Sequence, residues 1–214
     1  MRQLLIIRHG LAHCNVTGIV GGAAGCTGLT QLGRSQVRAL AERLARDQAI
    51  TDAALFSSTV RRCRETTQIL AAELSLDSYA LHDLREPDHG PAADGKTWEQ
   101  ILAAFPGRPA DHPEKPLVPG GETWRAYLTG QVIERILATT TAGTIIISGH
   151  AETVRAAWQH FSGETGIPAL LPVKLAVDNA SVTRWNAPEH QAGHWTLNSY
   201  NDTMHHAVAR QSTD

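Results

Sequence analysis

Two short runs set the fold class. Leu4-Leu5-Ile6-Ile7 and Ile145-Ile146-Ile147 are apolar without a break and are bounded by polar residues. Unalternated runs of that length belong to strands covered on both faces, the pattern of a parallel sheet. Neither run approaches the length of a membrane span or a signal-peptide core. Ala53–Phe56 reads as a further short strand that ends at Ser57-Ser58, and residues 79–84 as a weaker one. Val173–Val177, Val182–Trp185 and Trp195–Leu197 are strand-like pieces toward the end.

Helical spacing fills the intervals. Thr30 reads as an N-cap ahead of Val37, Leu40, Ala41 and Leu44. Val60, Cys63, Thr67, Leu70 and Leu74 mark a second amphipathic helix; Trp124, Leu128, Ile133, Ile136 and Leu137 mark a third, and a fourth runs from about Glu152 to Phe161. Strands alternating with helices predict an α/β domain: a three-layer α/β/α sandwich around a largely parallel sheet. A chain of 214 residues supports one sizeable core, so residues 1–214 are expected to form a single domain. Five of the ten prolines fall between Pro106 and Pro119, and the stretch at about 88–121 reads as an irregular excursion within that domain.

In such sheets ligands sit beyond the carboxyl ends of the strands. Arg8 and His9 follow the first strand; Ser57, Ser58 and the cluster Arg61, Arg62, Arg64 follow the second; Ser148, Gly149 and His150 follow the Ile145–Ile147 run. Two histidines and at least one arginine are thus delivered to one sheet edge. A phosphoryl group in transfer spreads negative charge over its oxygens and needs chiefly positioning and cationic clamps, which arginine supplies bidentately. A neutral imidazole can attack phosphorus and form a phosphohistidine, while a carboxylic acid protonates the leaving oxygen. For that acid the residues leave Asp83, Glu86 and Asp88 open.

Composition narrows the classes. A net charge of -2 argues against a surface built for nucleic acid or an anionic membrane, whereas sixteen Arg against three Lys suits an oxyanion site. The three cysteines form neither a disulfide framework nor a Cys-x-x-Cys knuckle, and a cytoplasmic location is the simplest expectation. The eleven histidines, among them His13 beside Cys14 and the pair His205-His206, show no His-x-x-x-His on a helix and no Cys/His ligand spacing, so no metal or other cofactor is expected. The five tryptophans read as core or pocket wall.

These residues resemble the histidine phosphatase superfamily, the phosphoglycerate mutase-like enzymes. Arg8-His9-Gly10 followed by Asn15 is similar to its Arg-His-Gly-x-x-x-x-Asn signature, and Gly28 to Gln36 to its Leu-Thr-x-x-Gly-x-x-Gln helix start. Ser57 to Thr66 resembles Ser-Ser-x-x-x-Arg-Ala-x-x-Thr and selects Arg62 from its neighbours. Leu84-Arg85-Glu86, Pro119-Gly120-Gly121-Glu122-Thr123 and His150 to Arg155 follow in family order. The resemblance implies a phosphoglycerate mutase-like fold and a phosphatase. His9 would be the phosphorylated nucleophile and Glu86 the proton donor. Arg8, Asn15, Arg62, His150 and the backbone N–H of Ala151 would hold the phosphoryl oxygens, and the partner would be a small phosphorylated metabolite. The family's Gly-Gly after the second histidine is Ala151-Glu152 here, and Glu152 is expected to point away from the site. The family's Glu-Thr after Arg-His-Gly is replaced within Leu11-Ala12-His13-Cys14, and its aspartate ahead of the Leu-Thr element is replaced around Cys26. A mutase would need extra cations over the pocket, and the excursion offers only Lys96, Arg108 and Lys115. A non-catalytic phosphoester-binding module would not need His9, Arg62, Glu86 and His150 together. His205 resembles a family tail element with a structural role.

Overall fold

In a computed structural model of the chain, described for residues 1–47, 50, 52–107, 115–123, 129–164, 174–188 and 194–207, Leu4–Ile7 form the wholly buried centre of β1 (Arg2–Arg8). The chain continues through α1 (His13–Thr17), α2 (Gln31–Ala45), β2 (Ala53–Ser58), α3 (Arg61–Leu74) and β3 (Ser78–Leu81). A 3-10 turn, His82–Leu84, leads to α4 (Trp98–Ala104), α5 (Thr129–Thr139), β4 (Thr144–Gly149), α6 (Ala151–Ser162), β5 (Val182–Ala187) and β6 (Thr196–Asp202). The strands form one sheet in the order β3-β2-β4-β1-β5-β6. β3, β2, β4 and β1 run parallel, and β5 pairs antiparallel with both β1 and β6.

Period-two alternation divides each central strand between two cores. Leu5, Ile7, Leu55 and Ile146 pack with Val37, Leu40 and Leu44 of α2 and Leu70 of α3. Leu4, Ile6, Ile145 and Ile147 face the other way, onto Val132, Ile133 and Ile136 of α5, Val154 and Ala157 of α6, and Trp185. Helices cover both faces, as the unalternated runs require. Each such Leu or Ile contributes about 1.5–3 kcal/mol by leaving water.

The register brings three strand ends level. Arg8 lies opposite Gly149 and Ser57 opposite Ser148, so His9, Ser58 and His150 leave the sheet at one edge. The segment that follows β1 packs against the first turn of α2: Thr30 N bonds Leu11 O at 2.9 Å, and the Thr30 hydroxyl caps by accepting from Gly33 N. A Cβ on Gly33 would lie 2.1 Å from Leu11 O, and one on Gly10 would lie 2.6 Å from Gly33 O. The two glycines therefore serve a close backbone approach behind His9. Gly33→Ala is expected to cost about 2–3 kcal/mol by overpacking against backbone, lowering Tm by roughly 5–10 °C in a thermal melt.

Two expectations are corrected. Residues 174–177 form no strand (residue 173 lies outside the described residues), because side chains occupy the carbonyls that a ladder would use. Leu175 O accepts from Arg155, Ala176 O from the Tyr200 hydroxyl and Val177 O from Arg8. The excursion at 88–121 is not wholly irregular either. It holds α4, opened by a capping box between Thr97 and Gln100, over a small core of Ala93, Ile101 and Val118. Trp124 and Leu128 lie outside the described residues, and their helix is described from Thr129 onward.

Candidate active site

His9 is buried one residue past β1, its N–H bonded to Gly149 O at 2.9 Å. Its Nδ1 lies 2.8 Å from Gly10 O. A carbonyl only accepts, so Nδ1 carries the proton and Nε2 keeps its lone pair. Arg62 Nε donates to that Nε2 at 3.0 Å. Burial, then Arg62, His150 and Arg8, holds the His9 pKa well below 6.5, so the ring is neutral at physiological pH.

Arg62 is the second residue of α3 and is only 3% exposed. Besides His9 it donates to Gly21 O (2.6 Å) and to Glu86 Oε2 (2.6 Å). Burial works against its charge, but Glu86 and the neighbouring thiols more than offset that and raise its pKa. Arg61, by contrast, is exposed and pairs with Glu65 at 2.9 Å. His150 is fully buried as the residue before α6, and its ring meets His9 edge-on with centroids 5.5 Å apart. Its Nε2 is 2.9 Å from Ser58 Oγ and 3.4 Å from Cys63 Sγ, while Nδ1 faces Arg62 Nη2 (3.4 Å) and Glu86 Oε1 (3.5 Å). Burial, Arg62 and Arg8 lower its pKa too.

Of the three acid candidates, Glu86 is the one that reaches this cluster. Asp83 turns outward to Arg135 at 3.1 Å, and Asp88 lies further along the pocket wall, accepting from Gly90 N. Arg8 donates to Val177 O while its buried Nε has no partner among the described residues. Asn15 lines the pocket; its Oδ1 accepts from Ala12 N (3.1 Å) and Asn179 Nδ2 (3.3 Å), so its amide NH2 is the face left to donate. Ala151 is the first residue of α6, where a backbone N–H has no intrahelical acceptor. Glu152 does not point away as expected. It lines the pocket, paired with Arg155, and its Oε2 has no partner among the described residues; burial pushes its carboxyl pKa up. The i,i+3 spacing to Arg155 on one helix face draws the side chain inward.

Side chains outside the phosphoryl site support it. Asp94 accepts from Gly22, Ala24 and Gly25 N at 2.8, 2.6 and 2.8 Å, pinning the Gly-rich loop whose Gly21 receives Arg62. Glu122 grips Arg85 through both oxygens and takes Asp88 N at 2.9 Å, which anchors the segment carrying Glu86. Cys14 and Cys26 both line the pocket as buried free thiols, and both feel the charge of Arg62. His205 keeps its expected structural part: Nε2 bonds Ala180 O at 3.0 Å, and Ala180 N and Asn179 Nδ2 donate to His9 O at 3.0 and 3.2 Å. The tail thus clamps the nucleophile's backbone.

These buried rings fix a pH response. His9, His150 and His89 have lowered pKa values, and burial takes His205 down to about 4. Below pH 6.5 the unfolded chain binds the protons that the folded one refuses, so stability is complete above about 6.5 and falls with pH. Glu152 opposes this by at most one proton. Urea unfolding compared at pH 7.5, 6 and 5 is expected to show a net uptake of about two to three protons on unfolding.

The fold has counterparts among known proteins. YhfR from Bacillus stearothermophilus superposes with a TM-score of 0.79 over 96% of this chain and 100% of that chain, at 24% identity. The mycobacterial glucosyl-3-phosphoglycerate phosphatase complexed with VO3 gives a TM-score of 0.72 at 25% identity, over 94% of this chain and 99% of that one. A phosphoserine phosphatase from Entamoeba histolytica in complex with phosphoserine gives 0.72 at 20% identity, over 96% and 99%. Identities under 25% carry the fold alone. In sequence, phosphoglycerate mutase-like protein 4 of Arabidopsis thaliana is 34% identical over 85 residues, which span 39% of this chain and only 36% of that protein. The family model of the histidine phosphatase superfamily (branch 1) matches residues 4–203, and the chain belongs to that superfamily.

Proposed function

We propose that the chain is a phosphomonoester hydrolase working through a covalent phosphohistidine at His9. One observation carries the reading: a buried, neutral imidazole keeps its Nε2 lone pair and aims it at Arg62, with His150 edge-on and Glu86 beside both. In the first step Nε2 attacks phosphorus and the bond to the ester oxygen breaks, while Glu86 gives its proton to that oxygen. In the second step Glu86 takes a proton from water, the hydroxyl attacks phosphorus, the P–N bond breaks and phosphate leaves. Arg62, Arg8, His150, the Asn15 amide and the Ala151 N–H hold the phosphoryl oxygens and neutralise charge as it develops. The 25% identical neighbour of the same fold, a glucosyl-3-phosphoglycerate phosphatase, supports the reaction class.

Hydrolysis is favoured over a mutase reaction. A mutase needs spare cations over the pocket, and among the described lining residues Arg61 and Arg85 are already paired, with Glu65 and Glu122. The test is phosphate release from an aryl phosphate in excess EDTA. Release that persists with chelator and disappears with His9→Ala is expected; release that survives the substitution, or that stops on chelation, contradicts the reading.

A further inference from the structure

The cavity at His9 measures about 660 Å³, of which a phosphoryl group fills a small part. Its outer wall is therefore built for the rest of the ester. Ile19 and Val20 form one side. Val20 N bonds Lys96 O (2.9 Å), Gly95 N bonds Val20 O (2.9 Å), and Ile19 pairs with Thr97. That ladder ties the apolar pair to the start of α4, where Trp98 lines the pocket with 43% of its surface exposed. His89 meets the Trp98 ring edge-on at 5.0 Å, which sets its plane.

Charge adds a second constraint. Among the described lining residues the cations are committed: Arg62 to the phosphoryl site, Arg61 to Glu65, Arg85 to Glu122. Asp88 and Glu152 line the same cavity. The Glu152 Oε2 that lacks a partner repels an anion and accepts from a hydroxyl.

We propose that the alcohol released here carries a ring and no anionic group of its own, and that Trp98, with Ile19 and Val20, selects it. The proposal rests on the reading of His9 as a phosphatase nucleophile. It is tested with three alkyl phosphates of similar leaving-group basicity: benzyl, 4-carboxybenzyl and ethyl phosphate. Wild-type kcat/KM is expected to favour benzyl over ethyl phosphate by at least about tenfold, and benzyl over 4-carboxybenzyl phosphate by a similar factor. Trp98→Ala is expected to reduce the benzyl-to-ethyl ratio about tenfold through KM, and Trp98→Leu by less, since it keeps apolar volume and loses the ring. A ratio between two esters is blind to a misfolded fraction, which scales both alike. Equal use of benzyl and ethyl phosphate, preference for the carboxylated ester, or a ratio untouched by Trp98→Ala overturns the inference while leaving the phosphatase standing. Hydrolysis of none of the three, or hydrolysis that survives His9→Ala, overturns both.

Discussion

His9→Ala is expected to lower kcat/KM for any phosphomonoester by ~10⁴-fold or more, because the nucleophile itself is removed and direct attack by water is left without its first step. The fold should survive. His9 lies at the end of β1, outside both hydrophobic cores, and the backbone bonds that hold it, to Gly149 O and from Ala180 N, do not involve its ring. The ring's removal also deletes one of the depressed pKa values, so the variant should lose part of the acid sensitivity of the wild type. Circular dichroism melts at pH 7.5 and 5 separate loss of chemistry from loss of structure: activity falls everywhere, and the gap in Tm between the two pH values narrows.

Arg62→Ala carries the second large effect. One guanidinium donates to Gly21 O, His9 Nε2 and Glu86, so truncation unties the loop, the nucleophile and the acid together. Loss of a single preorganised donor at a developing oxyanion costs about 10²–10³ in kcat, and kcat/KM should fall by ~10³-fold or more. Arg62→Lys should rescue little, since a single ammonium cannot span three acceptors. A structural role alone would not move the pH profile. Arg62 is the largest charge depressing His9 after burial, so its removal should shift the acid limb of residual kcat/KM upward, toward 6.5. A residual profile with an unmoved acid limb would contradict the assignment.

How much of this was legible in the sequence depended on whether local chemistry or distant contacts decide the residue. Leu4–Ile7 and Ile145–Ile147 announced the two-faced sheet because only burial on both sides tolerates unbroken apolar runs. The strand ends then brought Arg8, His9, Ser58 and His150 to one edge, since parallel register aligns carboxyl ends. Choosing Arg62 over Arg61, and Glu86 over Asp83 and Asp88, took the family pattern; nothing in the spacing alone separates them. Glu152 departs from the outward orientation expected of it, paired instead with Arg155 three residues on. The residues at 174–177 have strand-like composition but lose their carbonyls to Arg8, Arg155 and Tyr200, partners 20 or more residues away. Asp94 belongs to no sequence motif and Glu122 stands out only within the Pro119–Thr123 element; the importance of both lies in the backbone N–H groups that the fold turns toward them. α4 is too short for a helical period to stand out, and its one local signal is the capping box between Thr97 and Gln100.

The phosphoryl-enzyme is the central claim, and Glu86→Gln with an aryl phosphate exposes it most directly. A phenolate leaves without help, so the first step proceeds, whereas release of phosphate from His9 needs Glu86 to take a proton from water. Turnover should slow and the intermediate should accumulate. After an alkaline quench, mass spectrometry of the peptide containing His9 is expected to show one phosphoryl group per chain, stable in base, lost in acid and absent from His9→Ala. Turnover with no phosphoryl group on the chain, or with one on another residue, would contradict the account.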